Sequence, residues 1–240
     1  MKRSSVVYLL VVVGVVVLVA GFFFMKDRRK EQAKEWALVH YYQEQNEALL
    51  KQPLDSNRVV FIGNSITKHW FGFDSLFFTS NHYINRGIIG QTTPQILGRF
   101  REDVINLHPC IVVIGGGIND IAENTGEYDE ERTVDNIISM VDLAQTNNIK
   151  VILTSVLPAV TFDWSRKVQG APAKVKSLNS CIKKYAEANN LTYVDYYSHL
   201  ADENGAFNPI YSEDGVHPNR EGYLIMKPLI QDAINKLLNK

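Results

Sequence analysis

The 240-residue sequence predicts an α/β protein, with a parallel sheet between two layers of helices and one transmembrane helix before it. Three observations favour this architecture. Short apolar runs of strand type recur along the chain, helical patterns separate them, and residues 6–25 contain no charged side chain.

The uncharged stretch at residues 6–25 is flanked by Lys and Arg on both sides. A helix needs about 20 such residues to cross the hydrocarbon core of a bilayer. A cleaved signal peptide is the alternative, but three phenylalanines follow the best cleavage site and the apolar run is unusually long for such a peptide. We therefore predict an N-terminal anchor at residues 1–25. Basic residues lie on both flanks, so their charge does not set the orientation of the anchor. By analogy with other proteins that have a single N-terminal anchor, we expect the following domain on the non-cytoplasmic side, in the cell envelope.

Residues 26–52 are polar, with scattered aromatic side chains, and predict a juxtamembrane helix that ends before Pro53. We interpret this helix as a spacer; a surface for a partner is the alternative. Residues 53–240 are long enough for one domain with a sizeable core, but short for two.

The predicted domain alternates strands and helices. Its strand candidates lack clean alternation, which indicates burial on both faces; they lie at residues 58–63, 82–86, 110–114, 150–156 and 191–197. Helical patterns separate or follow them at residues 93–107, 130–147, 173–189 and 219–238. This order predicts a three-layer α/β/α sandwich with a five-stranded parallel flavodoxin-like sheet.

Composition excludes several classes of function. The chain has 25 Lys and Arg against 26 Asp and Glu, so no basic excess drives binding to nucleic acid. Its two cysteines exclude a disulfide scaffold, and the absence of a CxxC pair gives no indication of a zinc site.

In open parallel sheets, ligands bind beyond the carboxyl ends of the strands. The first strand is followed by Gly63-Asn64-Ser65, which places a hydroxyl at a strand-to-helix turn; a plain helix cap is the alternative. The second is followed by residues 85–93, where Gly90 can present a backbone N–H to a ligand or simply form a turn.

Two later segments add polar groups. Gly115–Gly117 precede Asn119 and Asp120; the glycines could cradle a phosphate, whereas the Asn119 amide could donate to an oxyanion. We interpret Asp120 as a residue that holds this loop. Near the C-terminus, Asp214 lies three residues before His217 and can hydrogen-bond its imidazole. The other histidines lack such a neighbour and are interpreted as structural or surface residues: His40, His69, His82, His108 and His199.

Together these segments supply a nucleophile, a base, a carboxylate and oxyanion donors in one order along the chain. That order resembles the SGNH hydrolases, also called GDSL esterases and lipases, over residues 57–238. The resemblance implies that Ser65 is the nucleophile, His217 the base and Asp214 its partner. It also implies an oxyanion hole made by the backbone N–H groups of Ser65 and Gly90 and the amide of Asn119. No metal or organic cofactor is implied.

The stretch NRGIIGQTT resembles the acetylhydrolase-like branch of that family, which implies a serine esterase acting on small acyl esters, often acetyl groups on sugars or lipids. Asn64 stands where the family usually has Asp, and Gln91 where many relatives have Asp, which affects the expected substrate preference rather than the triad. Two other classes remain open: a non-catalytic, membrane-tethered protein that binds a glycan or a partner, and a nucleotide-binding domain. The loop at residues 157–169, with Phe162 and Trp164, could wall a substrate pocket or be an ordinary connection.

Overall fold

The structure, a computed structural model, describes residues 3–239, apart from the side chains of residues 3–11, 17, 20, 23, 24, 27 and 30. Five strands form one sheet: β1 (Val59–Gly63), β2 (Tyr83–Gly87), β3 (Ile111–Ile114), β4 (Lys150–Thr154) and β5 (Thr192–Val194). All neighbouring strands are parallel, and their order is β2-β1-β3-β4-β5. This confirms the predicted five-stranded parallel sheet of flavodoxin-like order.

Ten α-helices accompany the sheet in the described residues: α1 (Arg3–Ala37), α2 (Gln43–Leu50), α3 (Ser65–Phe73), α4 (Ser75–Ser80), α5 (Thr93–Asp103), α6 (Ile118–Ile121), α7 (Glu130–Thr146), α8 (Ala171–Ala188), α9 (Tyr197–Leu200) and α10 (Arg220–Leu238). The pattern at residues 93–107 predicts one helix, but the structure divides it into α5 and a 3₁₀ turn at Ile105–Leu107.

Two hydrophobic clusters cover the faces of the sheet. Val60 and Ile62 of β1 pack in a cluster with α5, α7 and α8, whereas Val59 and Phe61 pack in a second cluster with α3, α4 and α10. Successive residues of a strand point to opposite faces of the sheet. Every residue of β1 is buried, so both faces of this strand are covered. This double burial explains the continuous apolar runs in the sequence.

The segment between α1 and the sheet is packed against the body of the protein. Ala37, Val39 and Tyr42 are buried, and α1 contacts α5. The predicted spacer at residues 26–52 therefore contains the end of α1, a turn and α2, and part of it belongs to the packed structure. The division of the chain at residues 25 and 53 stays a prediction.

Among the described residues, no helix combines the length and hydropathy that a membrane crossing requires. The predicted anchor segment, residues 6–25, includes many side chains outside the described set. The transmembrane helix also stays a prediction.

Candidate active site

Ser65 begins α3 directly after β1. The side chain of Asn64 caps this helix by accepting a hydrogen bond of 3.0 Å from the N–H of Ile66. A Cβ at Gly63 would lie 2.3 Å from Thr67 Oγ1 and 2.6 Å from the Gly115 carbonyl oxygen, so only glycine fits this turn. The close packing fixes the serine at the carboxyl edge of the sheet. Asn64 keeps the capping oxygen that the family's Asp would provide.

Ser65 and His217 meet although 152 residues separate them in the chain. Ser65 Oγ lies 2.9 Å from His217 Nε2, and His217 Nδ1 lies 2.6 Å from Asp214 Oδ2. The other carboxylate oxygen of Asp214 accepts from the backbone N–H groups of Val216, at 2.9 Å, and His217, at 2.7 Å. These bonds assign the proton on neutral His217 to Nδ1, which leaves Nε2 free to accept the serine proton.

The Asp214 carboxylate remains ionised beside the histidine. Partial burial raises the pKa of Asp214, but the hydrogen bonds from the backbone and ring of His217 and from Val216 outweigh burial and hold that pKa below its usual value. A negative charge at this position stabilises the imidazolium that would form when His217 accepts a proton.

Two aromatic rings lie near the imidazole of His217. The ring centroid of His69 lies 5.3 Å away, and that of Trp164 lies 6.1 Å away. Burial lowers the pKa of His69, and so does repulsion from the positive charge that His217 carries when it is protonated. The sequence prediction did not include His69 in the site. Its spacing of four residues from Ser65 would have indicated it, because residues i and i+4 share one face of a helix.

Asn119 lies against the turn that carries Gly90. Its buried Nδ2 donates to the Gln91 carbonyl oxygen at 2.9 Å. Gly90 has φ of +76°, a left-handed conformation that L side chains rarely adopt. The structure therefore brings two of the three predicted oxyanion donors to one turn, and the third, the N–H of Ser65, lies at the start of α3.

A buried arginine connects that turn to β1. Arg99, which is fully buried, donates to Gln91 Oε1 at 2.6 Å, to the Gly63 carbonyl oxygen at 2.9 Å and to Asp103 at 2.7 Å. Charge-assisted bonds in a buried setting are strong and directional. Arg99 thus ties the strand before Ser65 to the turn that contains Gly90.

Residues 37–46, which we call the N-terminal segment, bind the same region. Gln91 Nε2 donates to the Ala37 carbonyl oxygen at 2.8 Å, and the Tyr42 hydroxyl donates to the Gly87 carbonyl oxygen at 2.5 Å. Asn46 donates to Asp103 at 2.8 Å and accepts from Arg86 Nε at 2.9 Å. Sequence patterns did not indicate this contribution to the site.

Asp120 holds the start of α5. Its carboxylate accepts from the Thr93 hydroxyl at 2.6 Å and from the Thr93 N–H at 3.0 Å. Burial raises the pKa of Asp120, and the bonds from Thr93 oppose this effect. These contacts agree with the interpretation of Asp120 as a residue that holds its loop.

The three consecutive glycines after β3 are closely packed. A Cβ would lie 3.3 Å from Thr154 Oγ1 at Gly115, 3.2 Å from Ile96 Cδ1 at Gly116 and 2.8 Å from Leu178 Cδ2 at Gly117. The glycines therefore permit close contact between elements of the core, which gives no support to a phosphate cradle. Within the described part of the chain, no group of three or more His, Cys, Asp or Glu side chains is placed to hold a metal.

The parallel sheet and the serine–histidine–aspartate contacts at its carboxyl edge have the arrangement found in hydrolases with a Ser-His-Asp triad. The chain belongs to the GDSL-like lipase/acylhydrolase family, whose sequence profile matches residues 61–225. This confirms the resemblance inferred from the four motifs.

Two proteins of known structure and one further protein, compared by sequence, are similar to this chain. A Bacteroides fragilis protein classed as an acylhydrolase is 55% identical, with a TM-score of 0.83, over 85% of this chain and 98% of that one. A GDSL-like lipase from Bacteroides thetaiotaomicron is 53% identical, with a TM-score of 0.81, over 83% of this chain and 98% of that one. The uncharacterized lipoprotein YqeF of Bacillus subtilis is 26% identical over 176 residues, 62% of this chain and 72% of the relative.

The fold also occurs in a more distant enzyme. An acetyl xylan esterase is 23% identical, with a TM-score of 0.61, over 73% of this chain and 98% of that one.

Proposed function

We propose that the protein is a serine esterase, a carboxylic ester hydrolase that works through an acyl-enzyme. Ser65 is the nucleophile, His217 the general base and Asp214 the carboxylate that orients it. The observation that carries the proposal is the 2.9 Å contact between Ser65 Oγ and His217 Nε2, because a base must lie within hydrogen-bond reach of the proton that it removes.

The reaction follows from these positions. His217 Nε2 accepts the proton of Ser65 as Oγ attacks the ester carbonyl carbon. The N–H groups of Ser65 and Gly90 and the amide of Asn119 donate to the resulting oxyanion. As the tetrahedral intermediate collapses, the alcohol leaves with the proton from His217. Water then attacks the acyl-enzyme and gives its proton to His217, which returns it to Ser65 as the acid is released.

For the substrate, we propose a small acyl ester, with acetyl as the acyl group, of a carbohydrate or lipid. The stretch NRGIIGQTT supports this choice, and so does the fold that the chain shares with an acetyl xylan esterase. No cofactor enters the proposed reaction.

We also propose that residues 1–25 anchor the protein in a membrane, that residues 26–52 connect this anchor to the hydrolase domain at 53–240, and that the domain faces the non-cytoplasmic side. The uncharged stretch at residues 6–25 supports the anchor, and a lipoprotein relative supports membrane attachment in general.

A serine-directed fluorophosphonate probe tests the proposed nucleophile. We expect the intact protein to be labelled and Ser65→Ala to lose labelling completely. Ser75→Ala is a matched control because Ser75 also begins a helix after a capping side chain, and it should keep labelling. Failure of the folded, intact protein to react would contradict the esterase proposal and favour the alternative, a membrane-tethered protein that binds a glycan or partner without catalysis.

A further inference from the structure

A groove between α2 and α3 runs along β2, the edge strand of the sheet. We call it the α2–α3 groove. Its volume is about 440 Å³, within the usual range for sites that bind small molecules. Leu49 of α2, Phe71 of α3 and Ile84 of β2 supply apolar walls. Of the described residues that line the groove, two are basic, Lys68 and Arg86, and none is acidic.

Arg86 brings a buried charge to the α2–α3 groove, since the residue is only 5% exposed. Its Nε donates to Asn46 Oδ1 at 2.9 Å, and its Nη1 donates to the Asn85 carbonyl oxygen at 2.8 Å. Both acceptors are neutral, and no described residue accepts a hydrogen bond from Nη2. Arginine is rarely buried without an anionic partner. This guanidinium therefore keeps donors for an anion.

The polar network around Arg86 does not neutralise its charge. Asn46, which accepts from Arg86, donates to Asp103 Oδ1 at 2.8 Å, and Asp103 also forms an ion pair of 2.7 Å with Arg99. This hydrogen-bonded set thus contains two guanidinium cations and one carboxylate. A charge held away from water without a counter-charge is costly. One further negative charge beside Arg86 would therefore stabilise the network.

Lys68 adds a second cation on the α3 side of the groove. Its Nζ donates to the Tyr42 hydroxyl at 3.3 Å and forms no ion pair within the described part of the chain. Nζ lies 5.2 Å from the centroid of the Tyr42 ring, and the guanidinium carbon of Arg86 lies 4.7 Å from the same centroid. Because both cations contact one ring, a single small anion can lie close to both. Lys68 is only partly buried, so water already screens its charge more than that of Arg86.

We propose that the α2–α3 groove binds a small organic carboxylate that has an apolar body. The carboxylate contacts Arg86 and Lys68, and the apolar body packs between Leu49 and Phe71. A carboxylate carries the single negative charge that the buried network lacks, whereas a phosphate monoester would bring about 1.5–2. This binding site goes beyond the proposed esterase function and uses no residue of the triad.

Calorimetric titration of the full-length protein in nonionic detergent, with detergent alone as the blank, tests the site with 1-naphthoate. We expect naphthoate to bind at least about tenfold more tightly than naphthalene-1-methanol, which has the same apolar body without the charge. It should exceed acetate, which has the charge without the body, by a similar factor. No binding of naphthoate, or equal affinity for either control compound, would overturn the inference.

Two variants locate the bound naphthoate. Lys68→Gln removes one cation, and we expect the Kd to rise about tenfold. Ala48→Trp places a large ring at an exposed position of α2 that lines the groove; it keeps both cations and should raise the Kd at least about tenfold. Lys183→Gln, the matched control, removes an exposed lysine of α8 that does not line the groove, and it should leave the Kd unchanged.

A wild-type Kd in either Lys68→Gln or Ala48→Trp would overturn the inference, because the naphthoate would then bind elsewhere. Equal losses in Lys68→Gln and Lys183→Gln would also overturn it, since the effect would then come from the net charge of the protein. The titration contains no ester. Its outcome is therefore independent of whether the protein hydrolyses esters or reacts with the fluorophosphonate.

Discussion

The side-chain amide of Gln91 joins two parts of the molecule that lie 54 residues apart in the chain. The amide nitrogen donates to the Ala37 carbonyl oxygen at 2.8 Å, and the amide oxygen accepts from Arg99 at 2.6 Å. The backbone carbonyl of Gln91 accepts from Asn119 at 2.9 Å. One residue thus connects the N-terminal segment to a proposed oxyanion donor.

Replacement of Gln91 should destabilise the protein. Gln91→Glu keeps an acceptor for Arg99 but turns a carboxylate oxygen toward the Ala37 carbonyl, and Gln91→Ala removes both contacts. Because these groups are buried, we expect each variant to lose about 1–3 kcal/mol of unfolding free energy, measured by urea denaturation. Gln43→Ala breaks only an exposed bond to Glu47 and should cost less than about 0.5 kcal/mol. Wild-type stability in Gln91→Glu would show that the bond to Ala37 contributes little.

Removal of the N-terminal segment should impair catalysis. A protein that begins at Lys34 keeps Ala37, Tyr42 and Asn46, and we expect it to hydrolyse nitrophenyl acetate at the full rate. A protein that begins at Gln52 loses every contact of the segment to the turn after β2, and its kcat should fall by at least about tenfold, since small displacements of catalytic groups are costly. Equal kcat values for the two proteins would contradict this prediction.

Asn119→Ala should reduce turnover far more than binding. Loss of one oxyanion donor typically lowers kcat by about 10²–10³, so we expect a fall of that size with a nearly unchanged KM. The Gln91 carbonyl also loses a buried donor, which should lower stability by about 1 kcal/mol. Full turnover in folded Asn119→Ala would exclude Asn119 from the oxyanion hole.

The ion pair between Asp74 and Lys227 should make stability depend on pH. Burial raises the pKa of Asp74, but the bonds from Lys227, at 2.7 Å, and from the Phe77 N–H outweigh it and lower that pKa from its usual 3.8. A lowered pKa stabilises the folded state above pH 4, and this contribution is lost as pH falls through the folded-state value.

Asp74→Asn isolates the ion pair, because asparagine also caps helices. We expect it to lower unfolding free energy by less than about 1 kcal/mol at pH 7, since solvent screens the pair. The difference from wild type should be constant above about pH 5 and shrink below pH 4. A difference that persists unchanged at pH 3 would show that the charge of Asp74 is not its cause.

Local patterns in the sequence were sufficient to predict the sheet. The apolar runs at β1 and β3 predict buried strands because both faces of each strand are covered, and the residues after them predict where Ser65 and Asn119 lie. The meeting of Ser65 with His217 follows the rule that functional groups gather beyond the carboxyl ends of parallel strands, and the alternation of strands and helices predicts such a sheet.

Contacts between distant polar residues could not be predicted in this way. Gln91 bonds the backbone carbonyl of Ala37, and Arg86 bonds the side chain of Asn46. The polar side chains in these bonds look exposed in the sequence until folding buries them. The position of His69 was also missed, although Asn64 marks the start of α3 and His69 lies one helical turn after Ser65.

Helix α1 continues without a break to Ala37, whose carbonyl oxygen Gln91 binds. With residues 6–25 in a bilayer, as proposed, residues 26–37 form a helical connection of roughly 18 Å rather than a flexible linker. The active site would then be held at a fixed height and orientation above the lipid surface. Esters on molecules attached to the membrane surface at this height would be accessible to the active site, whereas soluble esters would have to diffuse to it.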